Sequence, residues 1–434
     1  MFLNTIKHVI GGKPKVEIFM QYQKLRGTED IVPPQIKIWQ NIEAVSRRIF
    51  EVFGYQEIRT PIIEFLKLFQ RSIGETTDII EKEIFQFQDK SGREIALRPE
   101  ATASIARAYL ECGLYQNPGL AKLYYYGPMF RAERPQKGRK RQFHQIGVEA
   151  IGSNNPEIDA EVIYLVKKLF DDLGVENFSI EINSLGCKDD KIKISEYLKN
   201  KLGNNLNQLC PDCQNRFSRN VLRILDCKKQ GCRSCLENLG IDIKNAICEK
   251  CLQHYNEVKG LLTALGIKYV ENKYLVRGLD YYTRTVFEVL NPELEAQNVL
   301  CAGGRYDELI EEMGGKSTPA VGFALGVERV AMLLENKIEK TLPGLDVFLV
   351  LQDRVFMEEA LKELMILREN GICADMDYQN RSLKSQMRLA NEKKARYVLI
   401  LGEKEWNEGM LCVKNMETGD QVDVKKEELL EAIR

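Results

Sequence analysis

Two long runs of alternating apolar and polar residues, joined by a short basic loop, constrain this chain more than any other feature. The runs are LAKLYYYGPMFRAE at 120–133 and RQFHQIGVEAIG at 141–152. Alternation with a period of two is typical of half-buried strands, and the short separation predicts an antiparallel hairpin. The front half of the chain is therefore predicted to be mainly antiparallel sheet with helices.

Side chains of unlike chemistry fall on one predicted face of this hairpin. The second run carries Phe143, Gln145 and Glu149 on one face, and Arg131 and Glu133 share a face of the first run. Where those faces coincide, they form a binding surface for a nucleotide or an amino acid. This surface carries a cation, two carboxylates, an amide and an aromatic ring. The alternative is a solvated basic loop on an edge hairpin.

Length, charge and cysteine usage limit the class of protein. The 434 residues favour two to four domains, and the net charge of -1 gives no overall attraction to nucleic acid or acidic membranes. No apolar run approaches the roughly 18 residues of a spanning helix, so a soluble chain without a membrane partner is expected. The 12 cysteines, with no recognisable signal peptide, favour a reducing cytoplasm.

Shifts in composition and periodicity predict the domain organisation. A Lys-, Asn- and Cys-rich region interrupts two sheet-like parts, and a polar, proline-bearing segment precedes a final stretch of alternating strands and helices. The predicted parts are an N-terminal extension at 1–21, disordered or dispensable; a sheet domain at 22–186 and 268–335; a helical Cys-rich insertion at 187–267; a linker at 336–344; and an α/β domain with a parallel or mixed sheet at 345–434.

Local patterns within the sheet domain predict individual elements. Apolar spacing at 36–53 predicts a helix that ends at Gly54, and YQEIRTPIIE at 55–64 predicts a strand. The segment 83–99 predicts a hairpin around a Lys-Ser-Gly turn. His144 lies on the apolar face of its strand and is predicted to be a packed core side chain rather than a ligand or base.

Other motifs place polar residues in apolar surroundings. Glu100 and Thr102 begin a predicted helix, where both are also ordinary N-terminal residues. Arg305 and Arg329 each stand beside glycines, which permit close approach of a ligand but are common in turns. Five polar residues interrupt the otherwise apolar strand pattern of LVRGLDYYTRTVFE, namely Arg277, Asp280, Tyr281, Tyr282 and Arg284. Burying them is costly unless they meet a partner or a ligand.

Seven motifs in a fixed order carry a family resemblance. RGTEDIVP, RTPIIE, ALRPEAT, FRAERPQKGRKRQFHQIGVE, LVRGLDYYTRTVFE, AGGRYDEL and GFALGVERV together resemble the histidyl-tRNA synthetases, a class II aminoacyl-tRNA synthetase family. The resemblance runs from about Tyr22 to the C-terminus, and LVRGLDYY is its most specific motif. It implies an α+β fold, with a class II antiparallel-sheet catalytic domain, a helical Cys-rich insertion and a C-terminal α/β anticodon-binding domain.

The resemblance also implies roles for individual residues. Those expected at ATP are Arg131 at the α-phosphate, Arg329 at the γ-phosphate, Glu133 near the adenine amino group, Phe143 against the adenine, and Arg139 at the phosphates. Those expected at histidine are Glu100, Ala101, Thr102, Arg131, Gln145, Glu149, Arg277, Tyr281 and Tyr282. Arg277 and Arg131 are expected to be catalytic, because negative charge accumulates between them at the α-phosphate.

The reaction implied is ATP-dependent attachment of L-histidine to tRNA(His) through a histidyl-adenylate, with Mg²⁺, in a cytoplasmic homodimer. The insertion is expected to contact the acceptor stem of the tRNA, and the C-terminal domain its anticodon. One alternative is a catalytically silent, synthetase-like regulatory subunit of ATP phosphoribosyltransferase, although such paralogues characteristically lose LVRGLDYY, the insertion or the anticodon domain. Another is a related synthetase for threonine, proline or glycine.

The cysteines of the insertion depart from the commonest family pattern. Three Cys-x-x-Cys pairs and a lone Cys227 crowd into 210–251, with the spacing of tetrathiolate zinc sites. The spacing predicts a structural Zn²⁺ with Cys210, Cys213, Cys248 and Cys251 as its ligands. The alternative is a set of reduced thiols in an insertion that no longer binds metal.

Overall fold

The computed structural model describes residues 22–74, 77–338, 344–403 and 407–433. The chain divides into two compact units between Lys337 and Ile338. The extension predicted at 1–21 lies outside the described residues. Within the described part, no helix is both long enough and apolar enough to cross a bilayer.

Eight strands of the first unit, counted among its described residues, form one sheet. They are β1 (Gln56–Glu57), β5 (Ala121–Phe130), β6 (Gln142–Ile151), β7 (Ser179–Ser184), β8 (Val270–Glu271), β9 (Thr283–Leu290), β10 (Val299–Arg305) and β11 (Ala320–Gly326). Their order is β1-β5-β6-β11-β10-β9-β7-β8. The short end strands β1 and β8 pair parallel to their neighbours and the other pairs are antiparallel, as predicted.

The predicted hairpin is confirmed, with one correction. In β5 and β6, Leu123 lies opposite Glu149 and Met129 opposite Phe143. Arg131 and Glu133, however, lie beyond the end of β5 and not on the strand. The Arg131 N–H still bonds to the carbonyl of Arg141, but the pairing stops there because the Arg141 N–H donates to the carbonyl of Gly27 instead of returning to Arg131.

The single strand predicted at 55–64 is wrong. The segment holds β1 and the start of β2 (Ile63–Phe65), which belong to different sheets. Pro61 between them lacks the N–H that a continuous ladder needs. β2 joins β3 (Gln86–Gln88) and β4 (Glu94–Leu97), the hairpin predicted at 83–99, in a three-stranded antiparallel sheet.

Helices cover the sheets of the first unit and fill the insertion. They are α1 (Ile36–Val52), α2 (Leu66–Ile73), α3 (Thr102–Glu111), α4 (Pro156–Asp172), α5 (Lys188–Leu202), α6 (Pro211–Arg219), α7 (Gln230–Asn238), α8 (Glu249–Ala264), α9 (Leu309–Glu312) and α10 (Val327–Ile338). One buried apolar cluster includes Ile105 on α3, Tyr125 on β5, and Leu198 and Leu236 in the insertion. The insertion therefore shares a core with the sheet.

The second unit is a mixed α/β sheet. Its strands are β12 (Val347–Leu351), β13 (Ala374–Met376), β14 (Tyr397–Leu401), β15 (Met410–Asn415) and β16 (Gln421–Lys425), and its helices are α11 (Met357–Glu369), α12 (Leu383–Glu392) and α13 (Leu429–Ala432). The order is β13-β12-β14-β15-β16, parallel among the first three strands and antiparallel beyond them. Alternate residues of β12 enter two separate apolar clusters, so both faces of this strand are buried, which explains its unbroken apolar sequence.

Candidate active site

One cavity of about 930 Å³ opens on the first unit. Strands β6, β10 and β11, the N-terminus of α3, the loop after β5 and the segment before β9 supply most of its wall. Every predicted site residue except Ala101 lines it: Glu100, Thr102, Arg131, Glu133, Arg139, Phe143, Gln145, Glu149, Arg277, Tyr281, Tyr282 and Arg329. Residues that lie up to 229 positions apart in the chain therefore meet around one space.

Glu149 lies at the buried end of this cavity. The side chain is 1% exposed, and its carboxylate accepts hydrogen bonds from Thr102 Oγ1 (2.7 Å) and Tyr306 Oη (2.5 Å). Burial raises the pKa of Glu149 to about 8, which these two hydrogen bonds oppose and the charge of Glu100 increases. Gly322 on the neighbouring strand makes room for the carboxylate, because a side chain there would overlap it.

Glu100 holds the start of α3. Its carboxylate accepts the backbone N–H groups of Thr102 (2.7 Å) and Ala103 (3.0 Å), two of the donors that a helix N-terminus leaves unpaired. Burial raises the pKa of Glu100, against the lowering effect of those donors. Ala101 is 1% exposed and packs into the core, so its side chain is not part of the cavity wall.

Cations gather at the other end of the cavity. The Arg131 guanidinium lies 5.2 Å from the centroid of the Phe143 ring and donates from Nε to the carbonyl of Pro99 (3.1 Å). Arg139 forms an ion pair with Glu133 at 3.3 Å. Burial lowers the pKa of Arg329 to about 10, and the nearby charge of Arg139 adds to this shift. Clustered cations of this kind favour an anionic ligand.

Arg277 forms a buried ion pair with Glu288 in the cavity wall, and its guanidinium lies 5.5 Å from the centroid of the Tyr282 ring. Burial acts to lower the pKa of Arg277, but Glu288, Tyr281 and Tyr282 together outweigh it and the pKa is raised. The rings of Tyr281 and Tyr282 are 4.7 Å apart. This part of the wall therefore combines a permanent cation with polar aromatic side chains.

Four polar atoms of the cavity wall are buried without a hydrogen-bond partner in the described structure. They are Gln145 Oε1, Tyr125 Oη, Tyr274 Oη and Arg277 Nε. Unpaired buried polar groups cost about 1–3 kcal/mol each, so they are rare in a finished interior. Around one cavity, these atoms offer a polar ligand hydrogen-bonding partners.

The sequence analysis missed two wall residues, Tyr125, which strand pairing would have revealed, and Tyr306, which it would not. Tyr125 lies opposite Gly147, between the predicted residues of β6, and Tyr306 follows β10 directly. Arg305, which the sequence marked beside its glycines, is instead 0% exposed and pairs with Asp159 at 2.7 Å. The wall also receives residues of the insertion that carried no motif, namely Arg216, Arg223, Asp226, Lys228 and Arg233.

Other candidate residues have structural partners. Asp280 accepts a hydrogen bond from Asn220 Nδ2 (3.0 Å), and Arg284 pairs with Asp307 at 3.4 Å. His144 packs edge-on against Trp39, with ring centroids 5.0 Å apart, but it is half-buried rather than a core residue, and its Nδ1 lies 3.3 Å from a Glu328 carboxylate oxygen.

The zinc ligand set predicted from the cysteines is wrong in its grouping. Cys210 and Cys213 meet Cys227 and Cys232, whereas Cys248 and Cys251 meet Cys187 and Asp190. The sequence could not show this because the pairs are brought together by helix packing. Cys235, the second member of the middle Cys-x-x-Cys pair, belongs to neither group.

The mostly antiparallel eight-stranded sheet, with its cavity lined from the hairpin loop, β10 and the start of α10, is the catalytic fold of the class II aminoacyl-tRNA synthetases. The second unit carries its own sheet, and residues 346–434 match the model of an anticodon binding domain.

Comparison with known proteins identifies the family. Residues 27–330 match the model of histidyl-tRNA synthetase. The histidine–tRNA ligase of Halothermothrix orenii is 48% identical over 418 residues, covering 96% of this chain and 99% of the relative. The apo histidyl-tRNA synthetase of S. aureus is 37% identical with a TM-score of 0.79, covering 95% of this chain and all of that one. The chain belongs to the histidyl-tRNA synthetase family.

A third relative bears on the regulatory alternative. A Bacillus halodurans structure described as an ATP phosphoribosyltransferase regulatory subunit/histidyl-tRNA synthetase is 23% identical, with a TM-score of 0.65, covering 88% of this chain and 99% of that one. At that identity the likeness extends to the fold alone. The regulatory reading is therefore not favoured over a synthetase.

Proposed function

We propose that this chain catalyses the attachment of L-histidine to tRNA(His), with ATP supplied as its magnesium complex and AMP and diphosphate as products. The family membership supports the reaction. The observation that carries the choice of amino acid is the buried Glu149, held between Thr102 and Tyr306 in a polar pocket. An imidazole offers N–H donors to such a carboxylate, and an apolar side chain leaves it unpaired.

Histidine is proposed to bind with its ring towards Glu149, Tyr281 and Tyr282. Glu100, Thr102 and Gln145 would then take the α-amino group, since Gln145 Oε1 is a buried acceptor without a partner. The carboxylate of the substrate would face Arg277, whose Nε is also unpaired. Ala101 is proposed to contribute through its backbone alone, because its side chain packs into the core.

ATP is proposed to occupy the cationic end of the cavity. Arg131 would hold the α-phosphate and Arg329 the γ-phosphate, with Arg139 at the phosphates. Phe143 offers an aromatic face to the adenine, and Glu133 a carboxylate to its amino group. The two substrates thus meet between Arg131 and Arg277.

The chemistry then depends on position and charge. A histidine carboxylate oxygen attacks the α-phosphorus, the bond to the bridging oxygen breaks, and diphosphate leaves. The terminal ribose hydroxyl of the tRNA next attacks the carbonyl carbon of the adenylate, its proton is released, the bond from that carbon to the phosphate oxygen breaks, and AMP leaves. Because negative charge grows at the α-phosphate, fixed guanidinium groups at Arg131 and Arg277 lower the barrier without covalent catalysis.

The remaining assignments follow from the family. The sheet domain at 22–186 and 268–335 is proposed to be catalytic, the insertion at 187–267 to contact the acceptor stem, and the part after the linker at 336–344 to bind the anticodon. A cytoplasmic homodimer is proposed as the working form. Gel filtration with light scattering tests the dimer separately from the activity.

Exchange of labelled diphosphate into ATP, measured with each of the standard amino acids, tests the function. Exchange with histidine alone is expected. Exchange with another amino acid would refute the histidine assignment, and exchange with none would favour a catalytically silent regulator.

A further inference from the structure

Two groups of metal-binding side chains lie in the insertion. Cys210, Cys213, Cys227 and Cys232 form one, and Cys187, Asp190, Cys248 and Cys251 form the other. Within each group the candidate ligand atoms all lie within 4.8 Å of one another. We propose that the insertion binds two zinc ions, the first through four thiolates and the second through three thiolates and a carboxylate.

The sulfur spacing of the first group suits a metal better than a disulfide. The sulfur atoms of Cys210 and Cys227 are 3.9 Å apart. A zinc tetrahedron with Zn–S bonds of about 2.3 Å has sulfur atoms about 3.8 Å apart, whereas a disulfide bond is about 2.05 Å long. All of these cysteines are free thiols. Three of the four are buried, so the group forms a closed site of the structural type.

Both groups are built from helix N-termini. Cys187, Cys210 and Cys248 are the N-caps of α5, α6 and α8, and the ligand three residues later is Asp190, Cys213 or Cys251. Cys187-x-x-Asp190 is therefore the geometric equivalent of a Cys-x-x-Cys pair. The positive end of a helix stabilises thiolate and carboxylate anions, which are the forms that bind metal.

Backbone donors already orient the ligands. The Cys210 N–H donates to the Cys232 sulfur at 3.2 Å, and Asp190 accepts the N–H groups of Cys187 (3.2 Å) and Cys248 (3.0 Å) on its two oxygens. Each carboxylate oxygen keeps a lone pair for a metal, since it has two. An N–H group that donates to a ligand atom fixes the orientation of that ligand, as the outer-shell hydrogen bonds of known metal sites do.

Zinc suits these ligands. It takes four sulfur or mixed sulfur and carboxylate ligands in tetrahedral geometry and has no redox chemistry, which fits thiols that must stay reduced. The first site also has a place in the proposed function, on which this point rests: Asp226, Lys228 and Arg233 adjoin its cysteines and line the active-site cavity. Zinc at this site would fix the wall of the cavity that the insertion supplies.

Metal analysis by mass spectrometry of the full chain, purified without chelators, tests the proposal. Two equivalents of zinc per chain are expected. Less than half an equivalent, or iron in place of zinc, overturns it, and a single equivalent overturns the second site. The measurement is independent of activity, so its failure would leave the proposed synthetase function untouched.

Substitutions assign each ion to its group. Cys227→Ser and Cys251→Ser are each expected to lose one equivalent of zinc. The matched control is Cys235→Ser, because Cys235, on α7, is buried like the other two; it is expected to keep both equivalents. Loss of zinc from Cys235→Ser as well would overturn the ligand sets. Where a ligand variant fails to fold, an organomercurial added to the folded wild type is expected to release two equivalents to a chromogenic chelator, and release of none overturns the proposal.

Discussion

Glu149 gives histidine binding a characteristic exchange of protons. In the empty site its pKa is about 8, whereas free imidazole has a pKa of about 6.5. If the bound pair is a carboxylate and an imidazolium, it holds one proton. Below the imidazole pKa the separate partners hold nearly two protons, so binding releases one. Above the pKa of Glu149 they hold nearly none, so binding takes one up.

The magnitudes follow from the two pKa values. Binding is expected to release about 0.75 proton near pH 6, to exchange none near pH 7.25, and to take up about 0.75 proton near pH 8.5. Affinity should therefore be greatest near pH 7.25 and fall on either side. The assay is titration calorimetry in buffers of different ionisation enthalpy, where the slope of the observed heat gives the protons exchanged.

Glu149→Gln is the matched variant, because the amide keeps the size of the side chain and an acceptor for Thr102 or Tyr306. Uptake near pH 8.5 should disappear, and affinity should fall roughly 10- to 150-fold, the equivalent of a charge-assisted hydrogen bond of about 1.5–3 kcal/mol. Titration of the substrate amino group is common to both proteins and cancels in the difference. Equal uptake by both, or none by the wild type, would refute the reasoning.

Three further predictions concern the surroundings of the site. Thr102→Val removes a donor to Glu149, so the pKa of Glu149 should rise further and the pH of zero proton exchange should move upward in the same calorimetric assay; a downward move would contradict this. Gly322→Ala should raise the KM for histidine in diphosphate exchange at least tenfold, because the new methyl group overlaps the Glu149 carboxylate, whereas Gly260→Ala on α8, with open space around it, should change the KM little. Asp159→Asn removes one of the two carboxylates paired with the buried Arg305 and leaves it Asp307, so it should lower the free energy of unfolding by about 1–3 kcal/mol, which thermal unfolding of the wild type and the variant can measure.

The sequence predicted the site well where chemistry follows strand alternation. Phe143, Gln145 and Glu149 alternate along one strand, so their shared face could be inferred without the fold. Tyr306 could not be found in this way, because the glycines before it directed attention to Arg305. Only the packing of α4 shows that Asp159 neutralises that arginine and leaves the tyrosine to face Glu149.

Contacts between distant segments could not be predicted from the sequence either, because they depend on how the helices and strands pack. The grouping of the cysteines depends on which helix N-termini meet, and periodicity does not report this. The break at Pro61 could have been predicted, since a proline within a strand pattern argues against a continuous ladder. The departure of Glu133 from its strand could not, because it depends on a backbone hydrogen bond between Arg141 and the distant Gly27.

The core shared by the insertion and the sheet has a consequence for folding. Residues 187–267 interrupt the part of the chain that forms the eight-stranded sheet, yet their apolar side chains enter the same buried cluster as those of α3 and β5. Amide hydrogen exchange should therefore report one cooperative unit across the insertion and the sheet. A shortened enzyme made by excising the insertion would expose that cluster to water, so miniaturisation of this synthetase should begin elsewhere.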